Sequence, residues 1–180
     1  MYQERRLEPR PWVDYSERLF ATLTRHRDLS GPWDDEPDEV LWTDETTGYL
    51  CQTRRGGMGN WCGYVCVPRE HPYHGMSHEE LEDEIVVHGG LTWSASFYEE
   101  GDWWFGFDCA HYMDSYPAKV AIDSITGIPD QGEVYRDLAY VKSQCAVLAA
   151  QLEALGRGAL KRRGGLEMYD QEVLTPEGES

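Results

Sequence analysis

Apolar residues recur along this chain at two periods. From Glu133 to Leu155 the residues Val134, Leu138, Val141, Cys145, Leu148, Leu152 and Leu155 alternate spacings of four and three, the signature of a long amphipathic helix. That stripe suits either a cover laid on a sheet or a short coiled coil pairing two copies in a homodimer. Asp14 to Arg27 repeats the helical period with Tyr15, Leu19, Leu23 and His26, with Asp14 or Ser16 as its cap and Ser30-Gly31-Pro32 as its stop. Upstream of it, residues 1–12 are polar and interrupted by proline, and read as extended surface chain.

Between these helices the period is two. Val40 to Thr43 and Tyr49 to Thr53, joined by DETTG, read as a hairpin. Asn60 to Val67 follows as a strand with Cys62, Tyr64 and Cys66 on one face and Trp61, Gly63, Val65 and Val67 on the other. Leu91 to Tyr98 alternates, Trp103 to Asp108 is aromatic, and Glu99-Glu100-Gly101-Asp102 makes a turn between them. Pairing Tyr98 with Trp103 then sets Trp93 opposite Asp108 and Gly90 opposite His111. Ser77 with Glu80 forms a capping box for a short helix through Glu84. Tyr112 to Gly132 is a long connection whose VAID offers one more short strand. Together these elements predict an α+β fold, a mainly antiparallel sheet of about five strands covered by the C-terminal helix with the N-terminal helix nearby. Residues 1–155 form a single domain, and 156–180, opening with GRGALKRRGG, form a flexible C-terminal tail.

Composition narrows the partners. The formal net charge is −17, and Asp34 to Glu45 carries seven acids without a base. A body this acidic repels phosphates and anionic lipid, which argues against direct nucleic-acid binding and against membrane association. Two readings of the acidic runs at 34–45 and 79–84 stand: solvated faces, or a phosphate-mimicking surface aimed at a nucleic-acid-binding host protein. Apolar runs fall well short of the roughly 20 residues that span a bilayer, and MYQERRLEPR has no signal-peptide core, so a cytoplasmic location is expected. Five cysteines, an odd number without CxxC spacing, fit reduced thiols.

Candidate chemistry concentrates between Ile85 and Asp114. His88 precedes Gly89 and Gly90, which permit positive φ or close approach of a ligand to the backbone. The hairpin returns Asp108, Cys109, His111 and Asp114 to that neighbourhood. Imidazoles titrate near neutrality and carboxylates orient them or bind metal, so His88, Gly89, Gly90, Asp108, His111 and Asp114 are the expected ligand-binding residues. His88, His111 and Asp114 are the metal candidates. Cys109 and His111 lie two apart on one strand, ~6–7 Å along its rise, and Cys109 reads as a small core residue. His71, His74 and His78 also cluster, but Pro68 and Pro72 make a loop there. His71, just past a strand end, is the one expected to face the site. GGMGN at 56–60 lacks the Lys-Ser/Thr of a phosphate loop and reads as a turn.

The segments CGYVCVPREHPYHG, VHGGLTWS, WWFGFDCAH with Asp114, and YRDLAYVKSQCAVLAAQL resemble an uncharacterised family of bacteriophages and bacterial mobile elements, over about residues 60–155. Where that family has Ala-Gly between the last His and Asp, this chain has Tyr112-Met113. The resemblance implies a small phage-type accessory protein, an anti-defence factor being one form. Three functions are therefore expected: binding of a small polar or nucleotide-like ligand in a His/Asp pocket, metal-dependent hydrolysis by the same cluster, or inhibition of a nucleic-acid-binding partner. Neither a cofactor nor a metal is identified by the sequence.

Overall fold

The computed structural model describes residues 3–5, 30–97 and 101–172. Six antiparallel strands form one sheet in the order β1 (Gln3–Arg5), β2 (Glu39–Thr43), β3 (Leu50–Arg55), β4 (Trp61–Val67), β6 (Trp103–Asp108) and β5 (Trp93–Ala95). Five of these strands lie from residue 39 onward. Two short strands, β7 (Asp114–Ser115) and β8 (Val134–Tyr135), pair in parallel, and α1 (Pro117–Thr126) runs between them. The long helix α2 (Leu138–Glu172) crosses the sheet over β4 and β3. The expected N-terminal helix at 14–27 lies outside the described residues. Among the described residues no helix is long and apolar enough to cross a membrane.

Alternation decides which face carries the core. Trp61, Val65 and Val67 of β4 and Phe105 and Phe107 of β6 are buried against Val141, Cys145, Leu148 and Leu152 of α2. The helical stripe therefore lies on the sheet, where each fully buried leucine contributes about 2 kcal/mol. Cys109 belongs to this core, and burial pushes its thiol far above the ordinary range, which removes it as a nucleophile.

Four expectations change in detail. In the 91–108 hairpin Trp93 pairs with Gly106 and Ala95 with Trp104, two residues from the expected register. Phe97 is the cause: it stacks on Trp93 at 4.3 Å and packs against Tyr64 and Trp104, a return that an extended strand forbids. A slip of two keeps every side chain on its expected face. The VAID segment is helix α1, begun by Pro117 in its first turn and ended by Gly127, because Pro and Gly at those positions outweigh the β-branched residues between them. The 77–84 element is a short 3-10 turn, His78–Leu81, held by the expected capping box.

The long helix starts later and ends later than its periodicity suggests. Asp137 caps it by accepting the Tyr140 N–H at 2.7 Å, and the preceding Val134–Tyr135 is spent on β8. It also continues through Gly156, where the tail was expected to begin. Gly156 serves packing, since a Cβ there would lie 2.6 Å from the His71 Nε2.

Candidate metal centre

Three segments with no shared secondary structure meet at the sheet's β5/β6 end. The 85–92 loop is pinned to α2 at two points: Gln151 bonds both the N–H and the carbonyl of Val86, and Gln144 accepts the His88 N–H at 3.0 Å. Thr92 continues the register, its N–H bonding to Gly106 and its hydroxyl donating to Asp108 Oδ2 at 3.0 Å. The 109–114 loop leaves β6 with the Ala110 N–H on Asp108 Oδ1, then turns back so that Asp114 points inward. Arg136, between β8 and α2, supplies the third side.

Asp114 is the hub. Its side chain is 1% exposed, its Oδ2 accepts from His88 Nε2 at 2.8 Å and from the His111 N–H at 3.0 Å, and its Oδ1 accepts from Arg136 Nε at 2.9 Å. Burial alone would raise its carboxyl, but the bonds from His88, Arg136 and the His111 backbone outweigh that and hold it below the ordinary range. The far nitrogen of His88, Nδ1, meets the Tyr140 hydroxyl at 3.0 Å, which sets the ring's orientation.

His111 completes the group. Its ring packs edge to face on His88 with centroids 5.5 Å apart. Gly89 makes room for it, since φ there is +66° and a Cβ would fall 2.1 Å from the His111 ring. The sequence marks Gly89 as a place where a ligand could approach the backbone, and the group found there is an imidazole of the same chain. Gly90 also has positive φ and turns the loop by returning its N–H to Val87. The His111 Nδ1 is buried without a hydrogen-bond partner, 3.7 Å from Asp114 Oδ2 and 3.9 Å from Asp108 Oδ1. Such an orphan polar atom costs stability unless something else occupies its lone pair or takes its proton.

One donor atom each from His88, His111 and Asp114 lies within 4.8 Å of the others. The two separations to Asp114 Oδ2, 2.8 and 3.7 Å, bracket the edge of roughly 3.3 Å that a tetrahedron with ~2.0–2.1 Å zinc bonds requires. Two imidazoles and a carboxylate suit a divalent first-row metal, and Tyr140 and Arg136 already hold the outer atoms of two ligands as a second layer should. Asp108, a third exposed, stands beside the open side.

Backbone strain sits between two members of the group. Met113 has φ 70, the one non-glycine at positive φ among the described residues. That is the conformation glycine adopts without cost. Tyr112, one residue earlier, is 92% exposed.

His71 is not part of this site. It is buried two to three helical turns further along α2, where Nε2 donates to the Leu152 carbonyl at 2.9 Å and Nδ1 accepts the Tyr73 N–H at 3.2 Å. Nε2 holds the loop to the helix and Nδ1 holds the loop's own turn. His74 and His78 bond to other segments, the Gly101 carbonyl and Ser94.

Arg136, Tyr140 and Gln144 were not anticipated. Tyr140, Gln144 and Gln151 share one edge of α2 beside its apolar stripe, and that polar edge is the signal that would have found them. Comparison of the chain with family models, with curated proteins and with solved structures finds no match.

Proposed function

We propose that the protein is a metal-dependent hydrolase whose divalent ion is held by His88 Nε2, His111 Nδ1 and Asp114 Oδ2. One observation carries the reading: a buried, unpartnered imidazole nitrogen faces a buried carboxylate and a second imidazole at ligand-to-ligand distances. A bound divalent ion with an open position lowers the pKa of a coordinated water toward neutrality and polarises an ester oxygen. The chain's residues do the rest. Tyr140 fixes the His88 ring, Arg136 keeps Asp114 ionised with one oxygen turned inward, and Asp108 stands where it can take a proton from water.

The ligand-binding function expected from the sequence uses the same residues, and the metal becomes the means by which a small polar ligand is held. The phage-type accessory setting rests on the resemblance of the HGGLT and GFDCAH segments. The inhibitor reading keeps the exposed acids of 79–84, while the run at 34–45 is in part used within the body. Glu36 and Glu39 are turned into the body, the latter bonded to Gln52, and Asp44 caps its own turn through Thr46 and Thr47.

The test is calorimetric titration of metal-free protein with Zn2+. One ion per chain is expected to bind, and His111→Ala is expected to lower its affinity at least about 100-fold while leaving the unfolding midpoint unchanged or higher, because it deletes the orphaned atom. Zinc bound equally well by His111→Ala would refute the centre.

A further inference from the structure

Arg136 has more donors than its bond to Asp114 uses. Only Nε is engaged there, and among the described residues none of the N–H groups on its two terminal nitrogens meets a protein acceptor. The side chain is 27% exposed, so it is partly open to solvent. Its guanidinium lies over the Tyr140 ring, 5.0 Å from the centroid, which fixes its plane. If orientation of Asp114 were the whole task, a single N–H would suffice. What remains is a flat, anchored fork beside Asp114, in a chain whose net charge is −17.

The charges in the site point the same way. Arg136 balances Asp114, and Asp108 has one oxygen on the Ala110 N–H and the other on the Thr92 hydroxyl. A divalent ion would then leave a local positive excess in a chain whose net charge is −17. A neutral ester or amide draws no benefit from that excess. A tetrahedral oxyanion does, having one oxygen for the ion and two for the planar fork, the arrangement in which guanidinium outperforms ammonium.

We propose that Arg136 and the metal centre together form a subsite for a phosphoryl group, so that the substrate is a phosphate ester. The inference rests on the metal reading above and deepens it. It assigns Arg136 two contacts, the buried Asp114 through Nε and the substrate through its terminal nitrogens. The phosphoryl group enters from the side of Tyr112 and Asp108, where the ring of His111 is a third exposed.

Titration of inorganic phosphate into zinc-loaded protein tests it, with acetate as the control anion. Phosphate is expected to bind at one site, at least tenfold more tightly than acetate and at least tenfold more tightly than to the metal-free chain. Arg136→Gln is expected to bind phosphate at least tenfold more weakly while still taking up zinc. Should Arg136→Gln fail to load zinc through loss of its hold on Asp114, Arg136→Lys decides, since it keeps the charge beside Asp114 and loses the fork. Zinc-loaded protein that ignores phosphate, prefers acetate, or binds phosphate equally well with Lys at position 136 overturns the subsite and leaves the metal centre standing. Failure of zinc itself to bind overturns both, and the zinc titration reports that separately.

Discussion

Two carboxylates tie the start of α2 to the rest of the molecule, and consecutive residues serve them: Tyr135 bonds Glu36, and Arg136 bonds Asp114. At Glu36, Oε1 accepts the Leu138 N–H at 2.8 Å, and Oε2 takes Arg55 at 2.7 Å, Trp61 Nε1 at 2.9 Å and the Tyr135 hydroxyl. Burial would raise this carboxyl, yet the four donors reverse the shift and hold it low. Asp114 is also held low by donors that outweigh burial. The two differ in what those donors can give up. Backbone, indole and guanidinium N–H groups do not release protons near neutrality, so Glu36 can only fasten. One Asp114 partner is an imidazole that can exchange its proton for a metal, and a second imidazole stands by with an unpartnered nitrogen. Two carboxylates that donors hold low against burial thus separate into a fastener and a candidate ligand by the acidity of their neighbours.

The comparison breaks most visibly at its structural half. Glu36→Ala strands the Leu138 N–H, the Trp61 indole, the Tyr135 hydroxyl and Arg55 together, and is expected to lower stability by about 3 kcal/mol in urea unfolding. The zinc stoichiometry of the folded fraction should not change. Asp114→Asn is expected to do the opposite, keeping most of the stability and losing zinc. If the two variants lose zinc alike, the distinction between the carboxylates fails.

A smaller effect is expected at His71, the histidine with no atom to spare. Gly156→Ala should gain up to about 1 kcal/mol of helix propensity but lose more by driving a methyl into the His71 ring, for a net loss of about 1 kcal/mol with no change at the metal site. Burial depresses the His71 pKa, more than the Leu152 carbonyl restores. The fold therefore prefers the neutral ring. Its contribution is complete above the ordinary value of 6.5 and is lost as pH falls through the depressed value. Thermal unfolding followed from neutral pH downward should show that loss, and His71→Gln should remove it. An unchanged slope in His71→Gln would mean that another group is responsible.

The smallest change expected is a gain. Met113→Gly relieves a left-handed residue and should stabilise by up to about 1 kcal/mol in the same unfolding assay, offset in part by the freer unfolded chain. Zinc affinity should stay the same. A lowered affinity would show that the strain, by holding His111 and Asp114 face to face, belongs to the site.

Periodicity carried much of this protein. The stripe from Leu138 to Leu152, the faces of β4, the capping box at Ser77 and the hairpin that returns residue 111 to residue 88 all follow from local pattern, because burial of one face is a local requirement. His88, Gly89, His111 and Asp114 were visible for the same reason, being unusual residues at two places that a hairpin must bring near each other. Tertiary structure decided the rest. Whether a histidine is spent or available depends on what its second nitrogen meets, and for His71 that is a carbonyl 81 residues away. Gly156 looked like a helix end because the ring that needs its missing Cβ lies on another segment. Arg136 and Tyr140 became part of the site only when α2 settled on the sheet, a long-range packing event that places side chains no local spacing relates.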